Sequence, residues 1–452
     1  MIIINCIRGA TSRKENSAIV ITRLAFANAG NTFGGIAILI MDGIHDHSRL
    51  LADSAAAALY VRTRAKDIRL LKGLDSLEVT AEKLPGGNVN FSYKIMAKGG
   101  GDWGPVEHTF FLKQAPPFVA VMPNIPLTKD RMIVEHGSYV EWAACLKGTN
   151  VENVVPEVYY FDQAEKVLIS EFCEAYQELD ALLASWGPWI DDVSLQNALA
   201  EASSQIGLFS GTLHSKTHAA LVSGEITHRL RTQFSNEEMR NVQIEFVFEK
   251  CFRDVVDDEA KVIFSDQLMK RVNALKARYA SSVCGSALCH GDMHAGSLMC
   301  NLYVSAMNPH TLKVIDPEFA VYGPPELDLG SVFSSFMLTA LRFSVDAKAN
   351  YKAWIAQLGN CIALIWKNYS NVMLIAGLSP RTLAQISFDA AGYASVEVIR
   401  TLLGCAGKRS TEFGNANLVE RGLKMCERIL LAQDSKELNQ CELLLLGELE
   451  RL

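Results

Sequence analysis

Apolar and polar positions change rhythm twice along the chain. Over residues 48–66 the apolar set Leu50, Leu51, Ala55, Ala58, Leu59 and Val61 recurs at helical spacing, which predicts a helix with Ser54 or Asp53 near its start. The period then falls to two. Residues 77–84 and 91–96 read as strands, Phe91, Tyr93 and Ile95 alternating with Ser92 and Lys94, and Pro85-Gly86-Gly87-Asn88-Val89-Asn90 between them predicts a hairpin turn. Lys98-Gly99-Gly100-Gly101-Asp102 reads as the next connection, and residues 108–113 as a third strand, Thr109-Phe110-Phe111-Leu112 being strongly β-prone. Residues 129–146 predict a helix, and 157–161 with 166–170 complete a five-stranded antiparallel set.

Beyond about Tyr176 the texture is helical. Leu195, Leu199, Ala202, Ile206, Phe209 and Leu213 form one stripe, and Leu329, Val332, Phe333, Phe336, Met337, Ala340 and Leu341 another, both read as core. His214 and His218 fall one turn apart at the end of the first of these helices, where capping explains them. The expected fold class is α+β: an extension of uncertain structure over 1–45, a strand-rich lobe over 46–173, a connector at Glu171-Phe172-Cys173, and a mainly helical lobe over 174–452. No repeat period is present.

Composition narrows the picture. The 452 residues exceed one ordinary core, and 49% hydrophobic with 21% charged residues describes a globular chain. A net charge of -7 argues against nucleic acid as a partner. No apolar run approaches the roughly 18 residues that span a bilayer, so no membrane association is expected. The 11 cysteines, with no Cys-x-x-Cys pair, suit buried reduced thiols and a cytoplasmic location. Residues 1–45, carrying Arg8, Arg13, Lys14 and Arg23, weakly resemble a transit peptide but read better as a poorly packed extension.

Two acidic segments carry the candidate chemistry. His290-Gly291-Asp292-Met293-His294 follows an apolar run, and Ile315-Asp316-Pro317-Glu318-Phe319 leaves another. Phosphoryl transfer to an alcohol needs a carboxylate beside the acceptor hydroxyl and hard oxygen ligands for the Mg²⁺ on the nucleotide. Asp292 is the candidate base, Asp316 the candidate metal ligand, with Glu318 beside it. Upstream, in the required order, stand the glycine-rich turn at Gly87 and Asn88, whose backbone can approach phosphates, and Lys113, placed to meet them, with Glu135 within reach as its ion-pair partner. Each part has a plainer reading. His-Gly-Asp alone is an ordinary turn, Lys113 an exposed strand end, Glu135 a solvated helix residue, and His290, Asp292 and His294 are chemically suited to a transition metal. The nucleotide belongs between the lobes.

The runs His290-Gly291-Asp292-Met293-His294-Ala295-Gly296-Ser297, Asp316-Pro317-Glu318-Phe319-Ala320-Val321-Tyr322-Gly323-Pro324 and Leu327-Asp328-Leu329-Gly330 resemble the methylthioribose kinase family. Gly87-Asn88-Val89-Asn90-Phe91, Lys113-Gln114-Ala115 and Pro126-Leu127-Thr128-Lys129-Asp130-Arg131 fit it too, and the similarity runs from about residue 50 to about 410. The resemblance implies a bilobal protein-kinase-like fold, a homodimer, and transfer of the ATP γ-phosphoryl to the 1-hydroxyl of 5-methylthioribose. It places Asp292 on the acceptor hydroxyl, Asp316 and Glu318 on Mg²⁺, Lys113 and Asn90 on the phosphates, and the backbone of Glu171, Phe172 and Cys173 on adenine. It puts Arg400 on the sugar. The family's Ile-Arg-Arg is here Ile399-Arg400-Thr401, and Ile125 stands where the family carries Trp, both departures on the acceptor side. A kinase of another small alcohol, of choline, homoserine or aminoglycoside type, and an inactive nucleotide-binding scaffold are the alternatives.

Overall fold

The first described helix, α1 (Ser54–Arg64), starts where Asp53 supplies a cap: its carboxylate accepts the Ala56 N–H at 2.8 Å. The computed structural model describes residues 50–85, 89–101, 104–185, 192–253, 264–281, 286–302, 311–346, 351–406, 415–432 and 441–452. The expectations for residues 1–45 and for Gly87 and Asn88 lie outside them.

Strands β1 (Asp75–Lys83), β2 (Phe91–Gly101) and β3 (Gly104–Gln114) form the meander that the alternation predicts. The ladder between β2 and β3 runs to Gly101 opposite Gly104, so the glycine run is strand and not connection. Backbone pairing needs no side chain, which is why composition misplaced that boundary. After α2 (Arg131–Leu146), β4 (Val158–Asp162) and β5 (Val167–Glu171) complete an antiparallel sheet of five strands in the order β1-β2-β3-β5-β4. Phe91, Tyr93, Ile95 and Ala97 point to its buried face, against Ala57, Tyr60 and Val61 of α1. The buried Tyr60 hydroxyl is bonded to Asp162 at 2.9 Å.

The connector leads to a helical region built around α3 (Val193–Ser215). Helix α4 (Asp266–Ser281) precedes four short strands, β6 (Ala287–Cys289), β7 (Leu298–Cys300), β8 (Leu312–Val314) and β9 (Val321–Gly323), and then α5 (Glu326–Asp346), α6 (Tyr351–Ile375) and α7 (Pro380–Leu402) follow. Helix α3 lies so close to α6 that a Cβ on Gly207 would stand 2.3 Å from the Ile365 carbonyl oxygen. The α+β class with a five-stranded antiparallel sheet and a helical majority is borne out. Among the described residues no helix is long and apolar enough to cross a membrane. Of the eight cysteines whose side chains are described, seven are buried and all eight are free thiols, as expected of core residues.

One charged cluster sits inside this core. Arg278 of α4 pairs with Glu326 and lies 3.4 Å from Asp389 of α7, which also holds Arg271 at 2.7 Å. Burial pushes the Glu326 carboxyl up to about 7 against the pull of Arg278. A carboxyl that binds its proton more tightly folded than unfolded favours the fold at low pH, and that contribution fades as pH climbs from its ordinary value of 4.5 through about 7. Glu326→Gln cannot titrate. Its melting temperature relative to wild type is therefore expected to move in the variant's favour between about pH 5 and about pH 8, measured by calorimetry.

Candidate active site

Strands β6 and β9 pair with Cys289 opposite Val321, and this two-stranded ladder delivers both acidic segments to one place. Residues 290–292 leave the end of β6, and residues 316–319 lead into the start of β9. The segments interlock. His290 Nε2 donates to the Ile315 carbonyl at 2.9 Å while its Nδ1 accepts the Asp292 N–H at 3.3 Å, and Ile315 N–H donates to the Ser297 carbonyl at 3.0 Å. Gly291, at φ +86°, presses against the second segment so closely that a Cβ would meet the Phe319 carbonyl oxygen at 2.0 Å. Only glycine fits both the backbone conformation and the space.

Asp292 is largely buried, and its carboxylate lies 3.7 Å from His294 Nε2. Its own carbonyl accepts from His294 N–H at 2.9 Å and from the Ser297 hydroxyl at 3.0 Å, so the loop is held by its backbone. His294 Nδ1 accepts the Gly296 N–H at 2.9 Å. With both ring nitrogens of His290 engaged by the protein, the transition-metal reading of His290, Asp292 and His294 loses one of its three ligands.

Asp316 is a non-glycine residue in the left-handed region, at φ 64° and ψ 48°, and its N–H donates to the Tyr139 hydroxyl at 3.1 Å. Pro317 then opens a short helical turn with the φ that such a start needs. This twist leaves the Asp316 carboxylate half-exposed, while Glu318 is buried. Lys113 joins them. Its ammonium donates to Glu135 at 2.7 Å and to Asp316, so it is a buried ion-paired lysine and not an exposed strand end. Burial alone would push the ammonium pKa down, but Asp316, Glu135 and Glu318 outweigh that and hold it well above the usual lysine range.

Oxygens of Glu135, Asp316 and Glu318 lie within 4.8 Å of one another, a hard all-carboxylate donor set that suits a small divalent cation. The same three residues, with Lys113 and Asn90, line a cavity of about 310 Å³. Its other wall comes from Glu171, Phe172 and Cys173 at the connector, with Leu84, Met299 and Ile315 supplying apolar surface. The connector is tied on both sides: Lys94 of β2 pairs with Glu174 at 2.7 Å, and Lys313 of β8 with Glu171 at 2.7 Å. Burial pushes the Cys173 thiol up to about 12, so it stays protonated.

Asp292 and Pro317 are not among the lining residues. Neither is Arg400, which is wholly buried on α7 with its Nε 2.8 Å from Glu397. The Thr401 hydroxyl is spent on the Glu397 carbonyl at 2.8 Å. His214 is more than a helix cap: it reaches Asp328 at 3.3 Å. Asp328 in turn accepts the N–H groups of His290 and Gly291 at 2.8 and 2.9 Å, an anchor under the first acidic segment that sequence reasoning passed over. Its signal was an acid inside an otherwise apolar helical stripe. Arg131 and Tyr139, both on α2, were likewise missed, and nothing in spacing distinguishes either from an ordinary helix residue.

Residues 154–355 match the model described as the phosphotransferase enzyme family. A methylthioribose kinase of Bacillus velezensis is 28% identical over 377 residues, covering 79% of this chain and 84% of that protein. Methylthioribose kinase 1 of Oryza sativa subsp. japonica is 25% identical over 399 residues, covering 78% and 84% respectively. The solved structure of an ethanolamine kinase from Plasmodium vivax aligns at a TM-score of 0.43 and 11% identity, over 91% of this chain and 96% of that one. With the lysine, its glutamate partner and the second acidic segment gathered at one cavity, the chain is an ATP-dependent kinase, similar over residues 154–355 to the phosphotransferase enzyme family and over more than three quarters of its length to methylthioribose kinases.

Proposed function

We propose that this protein transfers the γ-phosphoryl group of ATP to the 1-hydroxyl of 5-methylthioribose. The observation that carries the reading is Lys113, ion-paired at once with Glu135 and with Asp316, in a cavity that runs from the connector to the second acidic segment. In this reading ATP lies between a lobe of residues 46–173 and a lobe of residues 174–452, with adenine against the connector backbone at Glu171 to Cys173. Lys113 orients the phosphates, and Glu135 keeps its ammonium in place. Asp316 and Glu318 would hold Mg²⁺, which would supply charge neutralisation on the phosphoryl group. Asp292 positions the acceptor hydroxyl and takes its proton as the bond to phosphorus forms, the electron pair leaving with ADP. The protein acts in the cytoplasm as a homodimer, as the family resemblance suggests.

Purified protein given ATP, Mg²⁺ and methylthioribose is expected to release ADP only when all three are present. ADP release that ignores the sugar would overturn the reading. A second acceptor class is favoured by one local feature: Thr401, where the family has an arginine, spends its hydroxyl on its own helix, so one charged donor toward the sugar is missing. Choline, homoserine and an aminoglycoside in the same assay separate the two.

A further inference from the structure

Three segments far apart in sequence close a buried triangle. Arg131 Nε donates to Asn90 Oδ1 at 3.1 Å, Asn90 Nδ2 donates to Glu318 Oε2 at 3.0 Å, and Arg131 Nε lies 3.2 Å from the same Glu318 oxygen. Arg131 is wholly buried, and Asn90 and Glu318 nearly so. The rest of the guanidinium is committed as well. Its Nη2 donates to the Val89 carbonyl at 3.2 Å, and its Nη1 to the carbonyls of Pro116 at 3.0 Å and of Thr128. One planar group thus fastens the residues that follow the glycine-rich turn to the side chain of a proposed cation ligand. An ammonium could keep the charge but not this fork.

Arg131 touches neither phosphate nor acceptor in the reading above, and Lys113 already answers for the charge near Asp316. What Arg131 does, together with Asn90, is fix which way Glu318 faces: both hold Oε2. Val89 and Asn90 are therefore tied to Glu318 through one guanidinium. We propose that Arg131 is a positioning residue that couples Val89 and Asn90, which lead into β2, to the cation-holding loop, so that nucleotide and divalent cation bind as a linked pair. This rests on the nucleotide and cation sites proposed above.

The test reads binding, not turnover. ADP affinity is measured by calorimetry with and without Mg²⁺, and Mn²⁺ binding in the presence of ADP by electron paramagnetic resonance. For wild type, Mg²⁺ is expected to tighten ADP. In Arg131→Lys that enhancement should fall by about tenfold or more, while cation-free ADP affinity changes by less than about threefold. Asn90→Ala, which opens the triangle without burying a mismatched cation, should lose the enhancement in the same direction and covers the case in which Arg131→Lys does not fold. Adding Glu318→Gln to Arg131→Lys should bring little further loss, because both act on one linkage. Full enhancement in folded Arg131→Lys or in Asn90→Ala, or losses that simply add, would overturn the proposal alone. A wild-type protein whose ADP affinity ignores Mg²⁺ would instead overturn the underlying site.

Discussion

Asp292→Asn is expected to fold and melt like wild type and to release ADP more slowly by about 10³-fold or more. The two halves of that expectation come from different atoms. The loop is held by the Asp292 carbonyl, which accepts from His294 N–H and the Ser297 hydroxyl, and by the bonds of His290 and Gly291 to Asp328; asparagine keeps all of these. The carboxylate is nearly isosteric with the amide, so packing is preserved. What disappears is the only group proposed to take the hydroxyl proton. Asp316→Asn should also collapse turnover, but with another signature: it removes a partner of Lys113, so ADP binding in the presence of Mg²⁺ should weaken as well. Steady-state ADP release, calorimetric ADP binding and a thermal melt on the three proteins separate the cases. Wild-type-like turnover by folded Asp292→Asn would remove Asp292 from the chemistry.

Legibility in the sequence followed the kind of signal each residue carried. The strands around Phe91, Tyr93 and Ile95 were readable because one-sided burial writes a period of two, and the helix at Ser54 because Asp53 is a cap. The Lys113–Glu135 pair was readable only through order along the chain, since a lysine at the end of an apolar strand is ordinarily solvated. Arg131 and Asp328 were not legible as functional because their roles lie in contacts separated by 228 and 38 positions, through Asn90 to Glu318 and to His290, and no local period records such contacts. The misplaced boundary at Gly101 has the same origin. Glycine carries no side-chain preference, so pairing with Gly104 decided its state.

That hidden anchor supplies the second large effect. Asp328 receives three donors, the N–H groups of His290 and Gly291 on separate oxygens and Nε2 of His214, all of them buried. A backbone N–H can only donate, so both oxygens must accept. Asparagine offers one oxygen and one NH₂, and whichever way it turns an NH₂ faces a backbone N–H, at a cost of about 1–3 kcal/mol for the buried group left unmet. The mismatch can relax only by moving residues 290–291. Gly291 has no room to move toward Phe319, so displacement carries Asp292 away from where the acceptor must lie. A shift of about 1 Å in a catalytic group can cost about 10²-fold in rate. Asp328→Asn should therefore lower both the melting temperature and kcat, the latter by about 10²-fold, while KM for ATP stays close to wild type because Lys113 and Glu135 stand on other elements. His214→Gln, whose amide NH₂ can still donate, disturbs only the third donor and should do much less of both. If Asp328→Asn melted lower but kept wild-type kcat, the bond to Gly291 would be structural only, and placement of Asp292 would have to come from its links to His294 and Ser297 instead.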